Sequence, residues 1–253
     1  MSVFKKVLAS VGIGSAKVDT KLEKNQYMLG ETVSGKIEIQ GGAVEQQIAE
    51  IYLTLHTNYK IERDDHTYQK VATINHYLIN QSLMILANEK REIPFSFQLP
   101  YETPLTYGKS KVWIKTGMDI KNALDPKDED YIQVVANPLV QNVLTAIQEL
   151  GFQLREVDCE ETPFHFHARS TFLQEFEFVP VRGDYRGKFK EVEFVFFVKN
   201  ENELELVIEM DRKARGLGML FGDIESKVKV YITSSDDKGR FKEKIDEVLR
   251  KYR

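Results

Sequence analysis

Apolar and polar residues alternate along most of the chain, and this alternation predicts strands. After the turn at Gly30, the residues Val33, Ile37 and Ile39 fall on one side of an extended segment, and charged residues occupy other positions. Alternation with a period of two behind a turn residue is typical of a β-strand that buries one face. The segment 93–99 shows the same pattern. Because such segments recur along nearly the whole chain, we predict a mainly β protein.

The other strands are predicted by the same rule, and turn residues separate them. The polar sequence ERDDH at 62–66 predicts the tip of a hairpin between two long strands. The predicted strands lie near residues 16–22, 32–40, 48–61, 68–79, 82–87, 92–99, 110–118, 131–135, 152–159, 164–169, 171–179, 192–198, 203–212 and 227–233.

Two segments in the second half show helical spacing instead. Asn137 suits the N-cap of a helix, Pro138 its first position and Gly151 the residue after its end. The apolar residues between them form one stripe, as in an amphipathic helix. A similar stripe predicts a C-terminal helix near 236–251.

A short N-terminal helix is predicted from apolar residues at helical spacing, which are Phe4, Val7, Leu8 and Val11. We expect this helix to pack on the protein itself or on a second copy, so its apolar residues are candidates for self-association in a homodimer. The alternative is a helix that lies on a membrane surface.

The acidic sequence DPKDED at 125–130 contains a proline and lacks apolar residues, so it predicts a domain boundary. We therefore expect two tandem antiparallel β-sandwiches. The first spans residues 1–126 and carries the leading helix. The second spans 127–253, with one helix near its start and one at the C-terminus.

Two motifs in the first half resemble a known fold. The pattern Y-x-x-G-E-x-V-S-G at 27–35 and the sequence IPFSFQLP at 93–100 resemble the N-terminal domain of arrestins. The whole chain is similar to the bacterial sporulation-control (stage zero M) family. Three segments carry this resemblance. They are FKKVLASVGIGSAKVDT near the start, WIKTGMDIKNALDPKDED across the expected boundary, and PLVQNVLTAIQELGFQLREVDCE early in the second half.

The resemblance implies a cytoplasmic, non-enzymatic regulator of entry into sporulation that uses no cofactor. An arrestin-like scaffold implies binding of other proteins through loops, edge strands or the groove between domains. Fold alone does not identify the partner. The phosphate-sensing residues of signalling arrestins have no counterpart that we can map onto this sequence.

Composition narrows the function further. The 253 residues carry a net charge of −4, which disfavours nucleic acid as a partner. The single Cys159 forms no internal disulfide, which fits a reducing compartment. No apolar run approaches the length of a membrane span, and the apolar stretch after Lys5 and Lys6 is too short and broken for a signal peptide. We therefore expect a cytoplasmic protein.

His165 and His167 offer an alternative function. In a strand, residues two apart share a face, so both rings are able to reach one metal ion. A third ligand would have to come from the acidic and thiol residues at 158–161. This alternative is a metal-dependent enzyme or a metal-binding protein, and the competing interpretation is a polar strand face.

The sequence RKARGLGMLFGD at 212–223 is our candidate docking element. Loops normally face water, yet large apolar residues alternate with glycines here and need a cover. The cover is the protein's own core, a second copy, a partner protein or a membrane surface. The basic side chains of Arg212, Lys213 and Arg215 favour an acidic partner or an anionic lipid. The candidate residues are Arg212, Lys213, Arg215, Leu217, Met219, Leu220 and Phe221.

Overall fold

The computed structural model describes residues 15–64, 66–121, 125–162, 170–212 and 224–252. These residues form mainly strands, which confirms the predicted class. The strands are β1 Lys17–Leu22, β2 Gln26–Met28, β3 Thr32–Gln40, β4 Gln46–Arg63, β5 His66–Ile85, β6 Lys90–Gln98, β7 Val112–Ile120, β8 Lys127–Val135, β9 Phe152–Glu161, β10 Phe172–Pro180, β11 Phe189–Asn200, β12 Glu203–Arg212 and β13 Ile224–Thr233. The helices are α1 Pro138–Glu149 and α2 Lys238–Lys251.

Two sheets pack face to face in the N-terminal half. The smaller sheet has the antiparallel order β1-β3-β6, and it covers strands of a ten-stranded sheet. The hydroxyl groups of Thr20 on β1 and Thr116 on β7 are hydrogen-bonded at 2.6 Å in the buried space between the sheets. The backbone N–H of Thr20 also donates to Oδ2 of Asp128 on β8, at 2.7 Å. These bonds satisfy polar groups that the sandwich buries.

The larger sheet runs through both halves of the molecule. Its order is β13-β12-β11-β10-β9-β4-β7-β8-β2, and β5 pairs with β4. The two halves meet where β4 and β9 lie parallel at the pair Lys60↔Glu160. One hydrophobic cluster also spans the halves, and it includes Ile51 and Leu53 as well as Phe194 and Ile245.

Helices cover the described strands of the C-terminal half. Asn137 caps α1 by accepting a hydrogen bond from the Val140 N–H at 3.0 Å, and Gly151 follows the helix with a φ of 98°. Both features were predicted, because a short polar side chain satisfies the first N–H groups and glycine tolerates positive φ. The helix α2 begins after Asp237 and packs against α1 and β13. Both helices were predicted, but the continuation of the larger sheet into the second half was not.

The strand β8 belongs to the N-terminal half by its pairing. This strand starts at Lys127, directly after the expected boundary, yet it pairs with β7 and with β2. We therefore propose that the division between the halves falls after β8, near residue 136. The segments predicted at 68–79 and 82–87 form the single strand β5. The predicted N-terminal helix and the strand at 164–169 lie outside the described residues.

Candidate interaction site

Among the strands that the structure describes, β5 is the longest, and it is paired on one side. Its ladder with β4 runs from Gln46↔Ile85 to the predicted hairpin tip at Arg63↔His66. Within the described ranges, no strand pairs with the side of β5 that faces away from β4, which we call the β5 edge. An edge of this kind presents a row of unpaired backbone donors and acceptors.

Large apolar side chains are exposed along β5 and just after it. Half of the exposed large hydrophobic residues in the described part of the chain lie here, and their exposed fractions range from 47% to 60%. They are Tyr68, Val71, Leu78, Met84 and Leu86. Apolar exposure concentrated in one segment marks a candidate interaction surface, whereas scattered apolar residues are ordinary.

Negative charge is missing from this segment. Between His66 and Asn88 the sequence contains no aspartate or glutamate, although the chain has 39 acidic residues in 253. The basic residues of the segment are Lys70, His66 and His76. The surface along β5 is therefore apolar and weakly basic on an otherwise acidic protein.

A partly buried ion pair attaches the β4–β5 hairpin to the second half. Lys60 on β4 contacts Asp158 on β9, and the side chains are 19% and 8% exposed. Glu156 and Glu160 each place an oxygen 3.9 Å from the Lys60 ammonium. Burial opposes the charged form of Lys60, but the bond to Asp158 and the neighbouring carboxylates outweigh it and raise the pKa of this lysine.

Apart from the β5 edge, a concave surface lies between the loop after β6 and the strands β10 and β11. The Gln174 side chain fixes this loop, because its Oε1 accepts from the Leu105 N–H at 2.8 Å and its Nε2 donates to the Leu105 carbonyl at 2.7 Å. Beside this clamp is a mainly apolar cavity of about 160 Å³, lined by residues that include Tyr101, Phe196 and Val198. Its volume holds one apolar side chain or a small ligand.

Carboxylates form a row across the C-terminal strands. Glu193 on β11 lies opposite Glu177 on β10 and Glu209 on β12. Burial, followed by the charge of Glu209, raises the pKa of Glu193 to about 7. Burial, followed by the charge of Glu193, raises the pKa of Glu175 to about 8. Glu209 on β12 thus belongs to an acidic cluster that is spread over several strands.

The sites predicted from the sequence fall largely outside the described residues. This holds for the self-association candidates Phe4, Val7, Leu8 and Val11, and for His165 and His167. It also holds for the docking residues after Arg212, at which β12 ends. These hypotheses stay predictions. In the residues that the structure describes, no group of three His, Cys, Asp or Glu side chains is arranged to hold a metal ion.

Sequence reasoning did not single out β5, although a sign was present. The run from 66 to 88 without a carboxylate is visible in the sequence, and it coincides with the exposed strand. Cys159, the lone cysteine, is buried, and burial raises its pKa to about 11, so its thiol is kept protonated. Among the described helices, neither is long and apolar enough to cross a membrane.

Fold and site together define a class: a mainly β protein with packed sheets, whose exposed features are a strand edge and a groove between its halves. A sequence model of the family described as SpoOM protein matches residues 4–214. The chain belongs to this family, which confirms the resemblance found in its sequence.

A known sequence and a solved structure show how far the similarity extends. The sporulation-control protein spo0M of Bacillus subtilis (strain 168) is 45% identical over 258 residues, which cover 100% of this chain and 99% of the relative. The crystal structure of Spo0M from Bacillus subtilis superimposes with a TM-score of 0.86 at 42% identity, over 95% of this chain and 100% of that one. The relation to arrestins stays a prediction.

Proposed function

We propose that this protein is a non-enzymatic, cytoplasmic regulator of sporulation that acts by binding another protein at the β5 edge. The role in sporulation is supported by the full-length similarity to the sporulation-control protein of Bacillus subtilis. Action through protein contact is supported by the shape of the molecule. The observation that carries it is the exposed, one-sided strand β5 with its row of apolar side chains.

The physical reason is that an open strand edge is normally protected. Proteins blunt such edges with charges, prolines or covering segments, because an open edge pairs with other chains. In β5 one lysine stands among apolar and neutral residues, and there is no proline. An exposed edge that lacks protection fits a surface used for recognition.

Sporulation of the host bacterium tests this proposal. The gene is replaced by a variant with Val71→Glu and Leu78→Glu, which adds negative charge to two exposed positions of β5. The matched control is Tyr231→Glu, at an exposed apolar position on β13. We expect the β5 variant to change the number of heat-resistant spores as strongly as deletion of the gene, and the control to behave like the wild type.

Both proteins must be present at equal levels by immunoblot for the comparison to count. If deletion alters sporulation but the β5 variant sporulates normally, the β5 edge is not the functional surface. The groove beside Gln174 and the predicted docking element at 212–223 would then be the next surfaces to vary.

A further inference from the structure

We propose that the β5 edge receives an extended, acidic strand of a partner protein, with a carboxylate of that strand opposite Lys70. This inference rests on the proposed function and adds the chemistry of the partner to it. Such a complex would extend the ten-stranded sheet by one strand. Backbone hydrogen bonds would supply most of the attraction, and side chains would supply the choice of partner.

The first part of β5 has the geometry for strand addition. From Arg63↔His66 to His56↔Thr73 the pairing with β4 proceeds residue by residue, and the shifts in register come later in β5. Each residue from His66 to Val71 is exposed. An incoming strand therefore meets a straight and open stretch of backbone.

Charge favours an acidic strand over other occupants. The side chains of β5 carry positive or no charge, with Lys70 in the middle of the regular stretch. Opposite charges across two paired strands are stabilising, and like charges are destabilising. A second copy of β5 would bring another Lys70 and no carboxylate, so self-pairing offers no such attraction.

Apolar contacts favour β-branched residues beside that carboxylate. Side chains alternate between the two faces of a strand, so Tyr68 and Val71 lie on opposite faces of β5. Both are more than half exposed, at 52% and 60%. Tyr68 shares the face of Lys70, and Val71 lies on the other face. Valine or threonine next to the acidic residue would therefore cover Val71, and valine or threonine two positions away would cover Tyr68.

The full chain and two fluorescent peptides test the inference. Each probe is a blocked ten-residue peptide of alternating valine and threonine, with two glutamates at its centre in one probe and two lysines in the other. We expect fluorescence anisotropy to show that the glutamate peptide binds about tenfold more tightly than the lysine peptide. Lys70→Glu should reverse this order, and the same change at the exposed Lys90 of β6 should leave it intact.

Strand addition also requires hydrogen bonds between the backbones of the peptide and β5. A glutamate peptide with methylated backbone nitrogens cannot form a ladder, so it should lose its binding. Equal binding of the two charged probes, an unchanged order in Lys70→Glu, or binding of the methylated peptide would each overturn the inference.

A second copy of the chain is the remaining occupant to test. If sedimentation velocity shows a dimer that Val71→Lys abolishes and that excludes both peptides, the second copy occupies the edge and the inference fails. The sporulation assay is independent of the peptides. Normal peptide binding with normal sporulation of the β5 variant would overturn the proposed function alone, and the reverse pattern would overturn the partner chemistry alone.

Discussion

Among the strands that the structure describes, β5 and β13 form two edges of the same sheet, and these edges are built in opposite ways. On β13, Lys227 and Lys229 form ion pairs with Glu209 and Glu205 of the neighbouring strand at 2.7 and 2.8 Å. The helix α2 adds protection, because its Lys244 donates to the Tyr231 carbonyl at 3.1 Å. Charge and a covering helix are the usual devices that keep a strand edge from pairing with other chains.

The β5 strand has little of this protection, although it is twice as long. It spans 20 residues against 10 in β13. Its register shifts and the positive φ of 53° at Ser82 fall in its second part, while the stretch next to the hairpin tip stays regular. The comparison teaches that two edges of one sheet differ in protection: β13 carries ion pairs and a helix contact, whereas β5 carries one lysine among apolar and neutral residues.

The largest predicted effect concerns the ion pair that holds the β5 hairpin to the half that carries β13. Asp158→Ala leaves Lys60 partly buried without its nearest carboxylate. We expect the free energy of unfolding to fall by about 3 kcal/mol, because removing one partner of a buried pair leaves the other charge buried without that partner. Urea denaturation measures this.

The matched control removes a carboxylate from the rim of the same cluster. Glu156 is 46% exposed and lies 3.9 Å from Lys60, so Glu156→Ala should cost less than about 1 kcal/mol. Equal losses from both variants would show that the link between the halves does not depend on Asp158.

The second prediction concerns the carboxylates between the two edges. Burial raises the pKa of Glu175 to about 8 from a reference of 4.5. Between these values the folded state binds more protons than the unfolded state, so the free energy of unfolding should fall as the pH rises from 4.5 to 8. The slope for one group is at most about 1.4 kcal/mol per pH unit.

Glu175→Gln should therefore stabilise the protein at pH 8 and reduce this slope. A residual slope up to about pH 7 is expected from Glu193, whose pKa is raised in the same direction. Thermal unfolding over this pH range measures both effects, and Glu201→Gln at an exposed turn is the control. An unchanged slope in the Glu175 variant would show that this carboxylate is solvated.

The sequence predicted the strands of both edges but not their pairing. Alternation located β12 at its observed bounds and β13 within three residues of its observed start, because period-two patterns report which face of a strand is buried. The capped helix α1 was also predicted, since Asn137 and Gly151 act locally. Which strands are neighbours depends on contacts distant in the chain, such as Lys60↔Glu160, and alternation does not encode these.

The candidate site was harder to predict for the same reason. Alternation in β4 and β5 looks alike from the sequence, yet among the described strands β4 is paired on both sides and β5 on one. Val71 and Leu78 are exposed on the strand with the open edge. The absence of acidic residues from 66 to 88 was the one local sign of it.

The third prediction removes the protection of β13. Lys227→Val with Lys229→Val leaves Glu209 and Glu205 without their partners and adds apolar surface to the edge. Stability should fall by about 1 kcal/mol, as expected for two partly exposed ion pairs. The larger change should be self-association, since the edge of β13 would lose the lysines that keep other chains from pairing with it.

Sedimentation velocity across a range of protein concentrations detects this change. The control replaces two exposed lysines elsewhere, Lys111 and Lys121, with valine, so that composition and net charge change equally. Comparable association of both double variants would mean that surface hydrophobicity, and not the strand edge, drives it.

The smallest predicted effect on stability comes from adding protection to β5. Val71→Glu with Leu78→Glu should change the free energy of unfolding by no more than about 0.5 kcal/mol, because both side chains are about half exposed and fill no core position. Val71→Thr with Leu78→Thr is the matched control, which lowers apolarity without adding charge. Urea denaturation of both variants measures the difference. A loss above about 1.5 kcal/mol in the glutamate variant alone would mean that these residues support the fold. A near-neutral result would separate recognition from stability, because an edge whose apolar side chains contribute little to folding keeps them for contact with another chain.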